Sequence, residues 1–364
     1  MTMLRVAVAA ILLAAPCLVA HSSPQAQEAK AEFSSHNDLF AEFNNRREVV
    51  LTKLEKLYGQ KEPSPEEIRK LEDELRRIDL VYCDALAKYI KEHPDNKDLE
   101  YSRYELALTL SKFEEKLADA VKACDEFLAM HAKSDLAPSV KWARAQSYFR
   151  MPGSEAEALK ALDAFIADHG DTQEGDMARM MRVRALLFAN NVEGAKKALT
   201  EVMALDKVKN DADARAFVQR QIDDLDWIGR DLPVFSLADM EEKAVSTADM
   251  KGNPALIFVW DSTSGVCLEE IGFVKALHDK YKDKGLKVVG FSINESKPAI
   301  EQWLKRNATG FANVWEDRAK ENGFVKRLDV RNIPFNVLVD KEGKIFRYDV
   351  RSDELLRHAE LLMK

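Results

Sequence analysis

The chain has 364 residues, of which 46% are apolar and 32% charged, with a formal net charge of -8. That length exceeds one typical hydrophobic core, so two domains are expected. The acidic balance, with an isoelectric point near 5.6, gives no footing to a nucleic-acid backbone or an anionic lipid surface.

The N-terminal stretch MTMLRVAVAAILLAAPCLVAHSSPQAQ carries one cation, Arg5, ahead of an apolar run from Val6 to Ala20. That run suits the core of a secretory signal, assigned to residues 1–22, better than a transmembrane span. Cys17 raises lipidation, but Pro16 directly before it is a poor context, so cleavage without lipid is expected. Membrane contact would require that the segment stay uncleaved or carry lipid. The protein is therefore read as exported, to the periplasm or cell envelope. Removal of the signal leaves Cys83, Cys124 and Cys267, an odd count in an oxidising compartment, so at least one thiol is expected to be free. Cys83 and Cys124 lie on apolar helix stripes, where cysteine serves as a small buried hydrophobe, and a disulfide between them stays open.

From about Glu28 to Asp226 apolar residues recur at three- and four-residue spacings with no strand pattern, so residues 28–226 read as all helix. In SPEE, Ser64 takes an N-cap, Pro65 the first helical position and Glu67 the third, opening a helix to about Lys91. Three segments align at a 38-residue interval: YIKEHPDNKD from Tyr89, FLAMHAKSDL from Phe127 and FIADHGDTQE from Phe165. A weaker fourth, VMALDKVKND, starts at Val202. Seven residues before the later anchors stand Ala120, Ala158 and Ala195, small residues that let helices approach. Each repeat reads as a helical hairpin, and hairpins that cannot bury their apolar faces alone stack into an array offering a surface to a protein or peptide partner. The array resembles tetratricopeptide-type repeats. Their Trp, Gly and Tyr signature is mostly missing, so the resemblance implies architecture and no ligand. His93, His131 and His169 share the period. Equivalent positions in stacked repeats lie ~10 Å apart or more, too far for one ion, so these histidines are assigned to helix ends, where the dipole favours them.

After DDLDWIGRDLPVFSLADM the grammar changes. ALIFVW, KVVGFSI and NVLVDKEGKIFRYDV read as strands, with DKEG as a hairpin turn. CLEEIGFVKALHDKYKDKG, KPAIEQWLKRNA and SDELLRHAELLMK read as amphipathic helices. Residues 229–364 are expected to form a small α/β domain around a central sheet.

Three stretches carry a family likeness: GRDLPVFSLADMEEKAVSTADMKGNPALIFVW, LHDKYKDKGLKVVGFSINE and VRNIPFNVLVDKEGKI. Together they resemble the thioredoxin-like superfamily, especially exported thiol-disulfide proteins of the TlpA/ResA type and their redoxin relatives, over about Gly229 to Lys364. The resemblance implies a strand ending in tryptophan followed by Cys-x-x-Cys at a helix N-terminus. Trp260 fits the tryptophan, Cys267 the second cysteine and Glu270 the glutamate three residues on; Ser264 stands in place of the first cysteine. Dithiol chemistry depends on that first thiol, whose pKa falls at the positive helix end and whose thiolate attacks the substrate disulfide. A serine hydroxyl does neither, so ordinary dithiol turnover is not expected. For hydrolysis Ser264 would need a base, and the nearest histidine in sequence, His278, lies three turns away. The expected use of Ser264 is as an N-cap, accepting from a free backbone N–H of the helix that carries Cys267.

Peroxiredoxins share this fold and carry Thr/Ser-x-x-Cys, which SGVC satisfies. Trp260 replaces their proline seven residues before the cysteine, and Pro334 stands where they place an arginine, with Arg331 close by in sequence. Pro334 is the thioredoxin-type choice, which the resemblance implies is cis and borders a groove for an extended peptide. Glu270 and Glu295 occupy places where relatives tune thiol chemistry. The reading is an exported protein with a degenerate Ser-x-x-Cys site that binds or scaffolds protein partners. The alternative is a single-cysteine thiol-disulfide oxidoreductase or peroxiredoxin-like peroxidase using Cys267. The candidates are Cys267 and Ser264 for chemistry, Trp260 and Pro334 for substrate contact, and Glu270, Glu295 and Arg331 for tuning, with no metal and no cofactor.

Overall fold

The structure is a computed structural model that describes residues 33–61, 63–96, 99–317 and 323–364. The expected signal segment lies outside the described residues. Among them, no helix is long and apolar enough to cross a membrane. The chain divides into two compact units, one ending at Ala178 and the other spanning Arg179–Lys364.

The first unit is helical: α1 (His36–Tyr58), α2 (Pro65–Glu92), α3 (Leu99–Leu110), α4 (Leu117–His131), α5 (Ala137–Arg150), α6 (Glu155–His169) and the start of α7 (Gln173–Phe188). From α1 to α6 each helix packs on the next. Ser64 caps α2 as its sequence requires, its hydroxyl accepting from the Glu67 N–H at 3.3 Å. The 38-residue period has a packing cause. Tyr89, Phe127 and Phe165 are buried in the last turns of α2, α4 and α6, and each ring packs on the histidine four residues later, at 4.6 Å for His93, 5.1 Å for His131 and 4.9 Å for His169. Ala120 and Ala158, one helical turn or so into α4 and α6, have no exposed surface. Cys83 and Cys124 are free thiols within one apolar cluster that also holds Phe127 and Val140. Burial pushes each thiol up to about 12, which keeps it protonated and inert.

The second unit takes in the end of α7, α8 (Val192–Met203) and α9 (Ala212–Leu225) with the α/β elements. A two-stranded hairpin, β1 (Ser236–Ala238) and β2 (Ala244–Ser246), precedes a five-stranded sheet. Its strands are β3 (Ala255–Trp260), β4 (Lys287–Ser292), β5 (Ala312–Trp315), β6 (Phe335–Val339) and β7 (Ile345–Tyr348), in the order β5-β4-β3-β6-β7. β3 runs parallel to β4 and antiparallel to β6. The helices are α10 (Gly265–Tyr281), α11 (Lys297–Arg306) and α12 (Ser352–Leu362). Every residue of ALIFVW in β3 is buried, as a strand covered on both faces requires. Ala255, Ile257 and Val259 enter one core with Phe291 and Phe335; Leu256, Phe258 and Trp260 enter the other with α10, α11 and α12. The turn after β6 follows its sequence: Asp340 accepts from the N–H groups of Glu342 and Lys344 at 3.0 and 2.8 Å, and Gly343 takes a φ of 85°.

Candidate functional site

The site lies where β3 ends and α10 begins, because the carboxyl ends of parallel strands are where an α/β sheet presents its loops. Trp260 closes β3 with no exposed surface; its ring lies parallel to Phe258 at 5.8 Å and edge-on to Trp303 at 5.1 Å. Gly290 on β4 permits this packing, since a Cβ there would strike Asn313 Oδ1 and approach Trp260 Nε1 to 3.0 Å.

The loop between Trp260 and Ser264 is held by two residues that sequence reasoning passed over. Asp261 Oδ1 accepts from the Thr263 N–H at 2.9 Å, the Thr263 hydroxyl at 2.8 Å and Asn294 Nδ2 at 2.9 Å. Asn294, beyond the end of β4, also donates to Ser262 Oγ at 2.8 Å and accepts from the Ser292 hydroxyl at 2.8 Å and the Ser262 N–H at 3.2 Å. The Asp-Ser-Thr order was the available signal for an aspartate-centred turn.

Ser264 stands at the N-cap of α10 with extended backbone, but its side chain makes no capping hydrogen bond. The expected capping use is therefore corrected. The main chain does the work: Ser264 O accepts from the Cys267 and Leu268 N–H groups, both at 3.1 Å, and Ser264 N–H donates to Asp261 O at 3.1 Å. Asp261 fixes the turn, which leaves the serine hydroxyl outside it. Cys267, one turn in, is a free thiol with 0% exposure, enclosed by an apolar cluster that includes Phe258, Trp260, Ile271 and Ile300.

Glu270 is also buried, and its bonds go to structure. It accepts from Asn336 Nδ2 at 2.7 Å, from the Ser352 N–H at 3.0 and 3.1 Å, and from the Ser352 hydroxyl at 3.1 Å, tying α10 to β6 and to the start of α12. Burial raises its pKa above the ordinary carboxylate value, against the opposing pull of the Ser352 and Asn336 bonds and of Arg351. Pro334 is buried and follows a cis peptide bond from Ile333. The antiparallel register that pairs Val259 with Phe335 brings it to the same sheet end as Trp260.

Two of the remaining candidates point elsewhere. Glu295 is exposed on the loop before α11. Arg331 pairs with Asp329 at 2.6 Å and with Asp224 of α9 at 3.7 Å. The structure thus gathers Trp260, Ser264, Cys267 and Pro334 at one sheet end and gives Glu270 a scaffold role. Arg331, the arginine nearest in sequence to the place where a peroxide site carries one, is held by Asp329 and Asp224.

Residues 228–359 match the Redoxin family. A thiol-disulfide oxidoreductase ResA of Bacillus thuringiensis is 26% identical over 137 residues, covering 38% of this chain and 77% of the relative. The ResA of Bacillus subtilis is 27% identical over 120 residues, 33% of this chain and 65% of its own. Among solved structures, the thioredoxin domain of a thiol-disulfide oxidoreductase from Bacteroides vulgatus is 23% identical, with 38% of this chain and 98% of that domain covered and a TM-score of 0.36. StoA from Bacillus subtilis is 19% identical over 35% of this chain and 97% of its own, with a TM-score of 0.31.

Proposed function

We propose, starting from a C-terminal domain of redoxin type with a thioredoxin-like fold, that this chain is an exported binding or scaffolding protein whose Ser264-x-x-Cys267 site no longer turns over. The observation that carries the reading is the complete burial of Cys267 beneath an N-cap position that holds Ser264. The thiolate is the attacking species in disulfide exchange and peroxide reduction alike, and attack needs access. Among the described residues Cys267 has no partner cysteine, and with no exposed surface it offers a substrate no path to its sulfur. The successive packed helices of the first unit support a tetratricopeptide-like partner surface, and the apolar run at residues 6–20 supports export to the periplasm or cell envelope.

The two ResA relatives are named as thiol-disulfide oxidoreductases, which favours a second reading in which Cys267 alone forms mixed disulfides resolved by an external thiol. One experiment separates the two. Wild type and Cys267→Ala are compared for insulin-disulfide reduction with dithiothreitol and for hydrogen peroxide consumption. The binding reading expects both proteins at the buffer rate. A wild-type rate that vanishes in Cys267→Ala would overturn it in favour of the enzyme.

A further inference from the structure

A groove of about 490 Å³ opens between α10 and α11, starting at Leu268, one helical turn beyond Ser264. Its apolar side is built by Leu268, Ile271 and Trp303, and its polar side by Lys275, Arg306 and Thr309. Leu268 is 40% exposed although it is a large aliphatic residue in the first turns of α10. Lys275 is held in place by donating from Nζ to Ala308 O at 2.8 Å, which leaves two of its ammonium hydrogens for another acceptor. Arg306, the last residue of α11, is exposed and has no hydrogen-bond or ion-pair partner among the described residues. Among the described residues, none that lines the groove is a carboxylate. In a chain with net charge -8, two cations beside an apolar floor with no acidic residue in the described lining give the groove a charge opposite to that of the whole. Such a charge draws acidic partners and repels basic ones.

We propose that this groove docks an acidic peptide segment of a partner protein. One aromatic or large aliphatic side chain packs on Leu268, Ile271 and Trp303, and a neighbouring carboxylate sits between Lys275 and Arg306. The volume lies within the range of small ligand sites and holds one anchor side chain with adjoining main chain. The arrangement is a buried apolar anchor beside charge-assisted hydrogen bonds, the pattern that concentrates binding energy in a few contacts. The inference goes beyond the function proposed above, because it requires nothing of the helical unit and nothing of Cys267.

The test is fluorescence anisotropy of end-blocked, dye-labelled peptides on the full chain. The probe is a Gly-flanked Phe-Asp-Asp peptide; its controls carry Lys in place of Asp or Ala in place of Phe. Saturable binding of the acidic peptide is expected, at least ~10-fold tighter than either control and weakening between about 50 and about 300 mM salt. Arg306→Glu and Leu268→Ser are each expected to weaken it by ~10-fold. Lys275→Gln serves as a third variant should either lose its native circular dichroism. Equal binding of acidic and basic peptides, no saturation by about 1 mM, or unchanged affinity in folded variants would overturn the proposal. Repeating the titration in Cys267→Ala keeps the result independent of any thiol chemistry.

Discussion

Arg347 and His358 form a buried pair in which the arginine Nε–H donates to His358 Nδ1 at 3.2 Å, each residue only 1% exposed. The remaining guanidinium nitrogens donate to Phe346 O at 2.6 Å, Leu187 O at 2.7 Å and Asn190 Oδ1 at 2.9 Å. Among the described residues no carboxylate pairs with this arginine. The carbonyl at the end of α7 and the neutral histidine take that role. Burial, with the positive charge of Arg347 and Arg357, pushes His358 down to about 2, and burial alone lowers Arg347 to about 10.

The depressed histidine makes stability depend on pH in a definite direction. Below the ordinary histidine value of about 6.5 the unfolded chain binds a proton that the folded chain refuses, so this contribution is full above that pH and lost as pH falls toward 2. His358→Asn keeps an acceptor near the Nδ1 position and removes the titration. Between about pH 7.5 and about pH 5, wild type is expected to lose about 2 kcal/mol more than the variant in urea melts. Asp224, pushed up to about 6 by burial and by Asp349, acts in the opposite sense in both proteins and cancels from the comparison. Parallel pH profiles would mean that His358 protonates freely in the folded state.

The same pair bears on where the C-terminal domain can be cut. Phe188 packs on the His358 ring at 4.8 Å, and Arg184 pairs with Glu354 at 3.0 Å. A fragment beginning at residue 229 loses these contacts and the two acceptors that Arg347 finds at Leu187 and Asn190. A fragment of residues 179–364 is expected to unfold cooperatively, and one of residues 229–364 to be weaker by on the order of 2–4 kcal/mol. Equal urea midpoints for the two fragments would contradict this.

Glu270 yields a prediction of opposite pH sign. Its folded pKa is raised, so its contribution is present below the ordinary carboxylate value and is lost as pH rises through the folded value. Glu270→Gln removes the charge and keeps an oxygen for the Ser352 N–H. Asn336 Oδ1, buried and without a partner among the described residues, can accept from the new amide once the Asn336 side chain turns over. The variant is expected within about 1 kcal/mol of wild type at neutral pH, with a flatter decline above the carboxylate range. Glu270→Ala strands the Ser352 and Asn336 donors and is expected to cost about 2–3 kcal/mol by thermal or urea melts. A loss in Glu270→Gln as large as in Glu270→Ala would mean that the negative charge itself is required.

How much of this was legible depended on the length of the signal. The helices were, because Tyr89, Phe127 and Phe165 repeat a ring-on-histidine packing at the ends of α2, α4 and α6. The strand at Ala255–Trp260 was, because burial on both faces demands an unbroken apolar run. The four residues of β5 and the three each of β1 and β2 are too short for any period to register. The site was legible as residue types: Trp260, Ser264, Cys267 and Pro334 do meet at one sheet end. What each does was not, since the roles are set across the chain. Asn294 holds the turn from 33 positions beyond Asp261, and Asn336 claims Glu270 from 66 positions away.

The clearest measure of what the site retains is Ser264→Cys. The Cys267 N–H bonds to Ser264 O at 3.1 Å, closing one helical turn between them, and residues three apart in such a turn have Cα atoms within the ~4.4–6.8 Å that a disulfide spans. Exposure of residue 264 is intermediate, while Cys267 is fully enclosed. The reduced variant is expected to show one rapidly alkylated thiol under native conditions, against none at the site in wild type. Oxidised glutathione, taking up two electrons and two protons, should then convert the pair to a disulfide, read as a loss of two hydrogens in the intact mass and disappearance of the fast-reacting thiol. A fast-reacting thiol that survives equilibration, with no loss of two hydrogens, would mean that the Asp261–Asn294 turn holds position 264 away from Cys267. The missing cysteine would then not be the only thing that separates this site from a working dithiol.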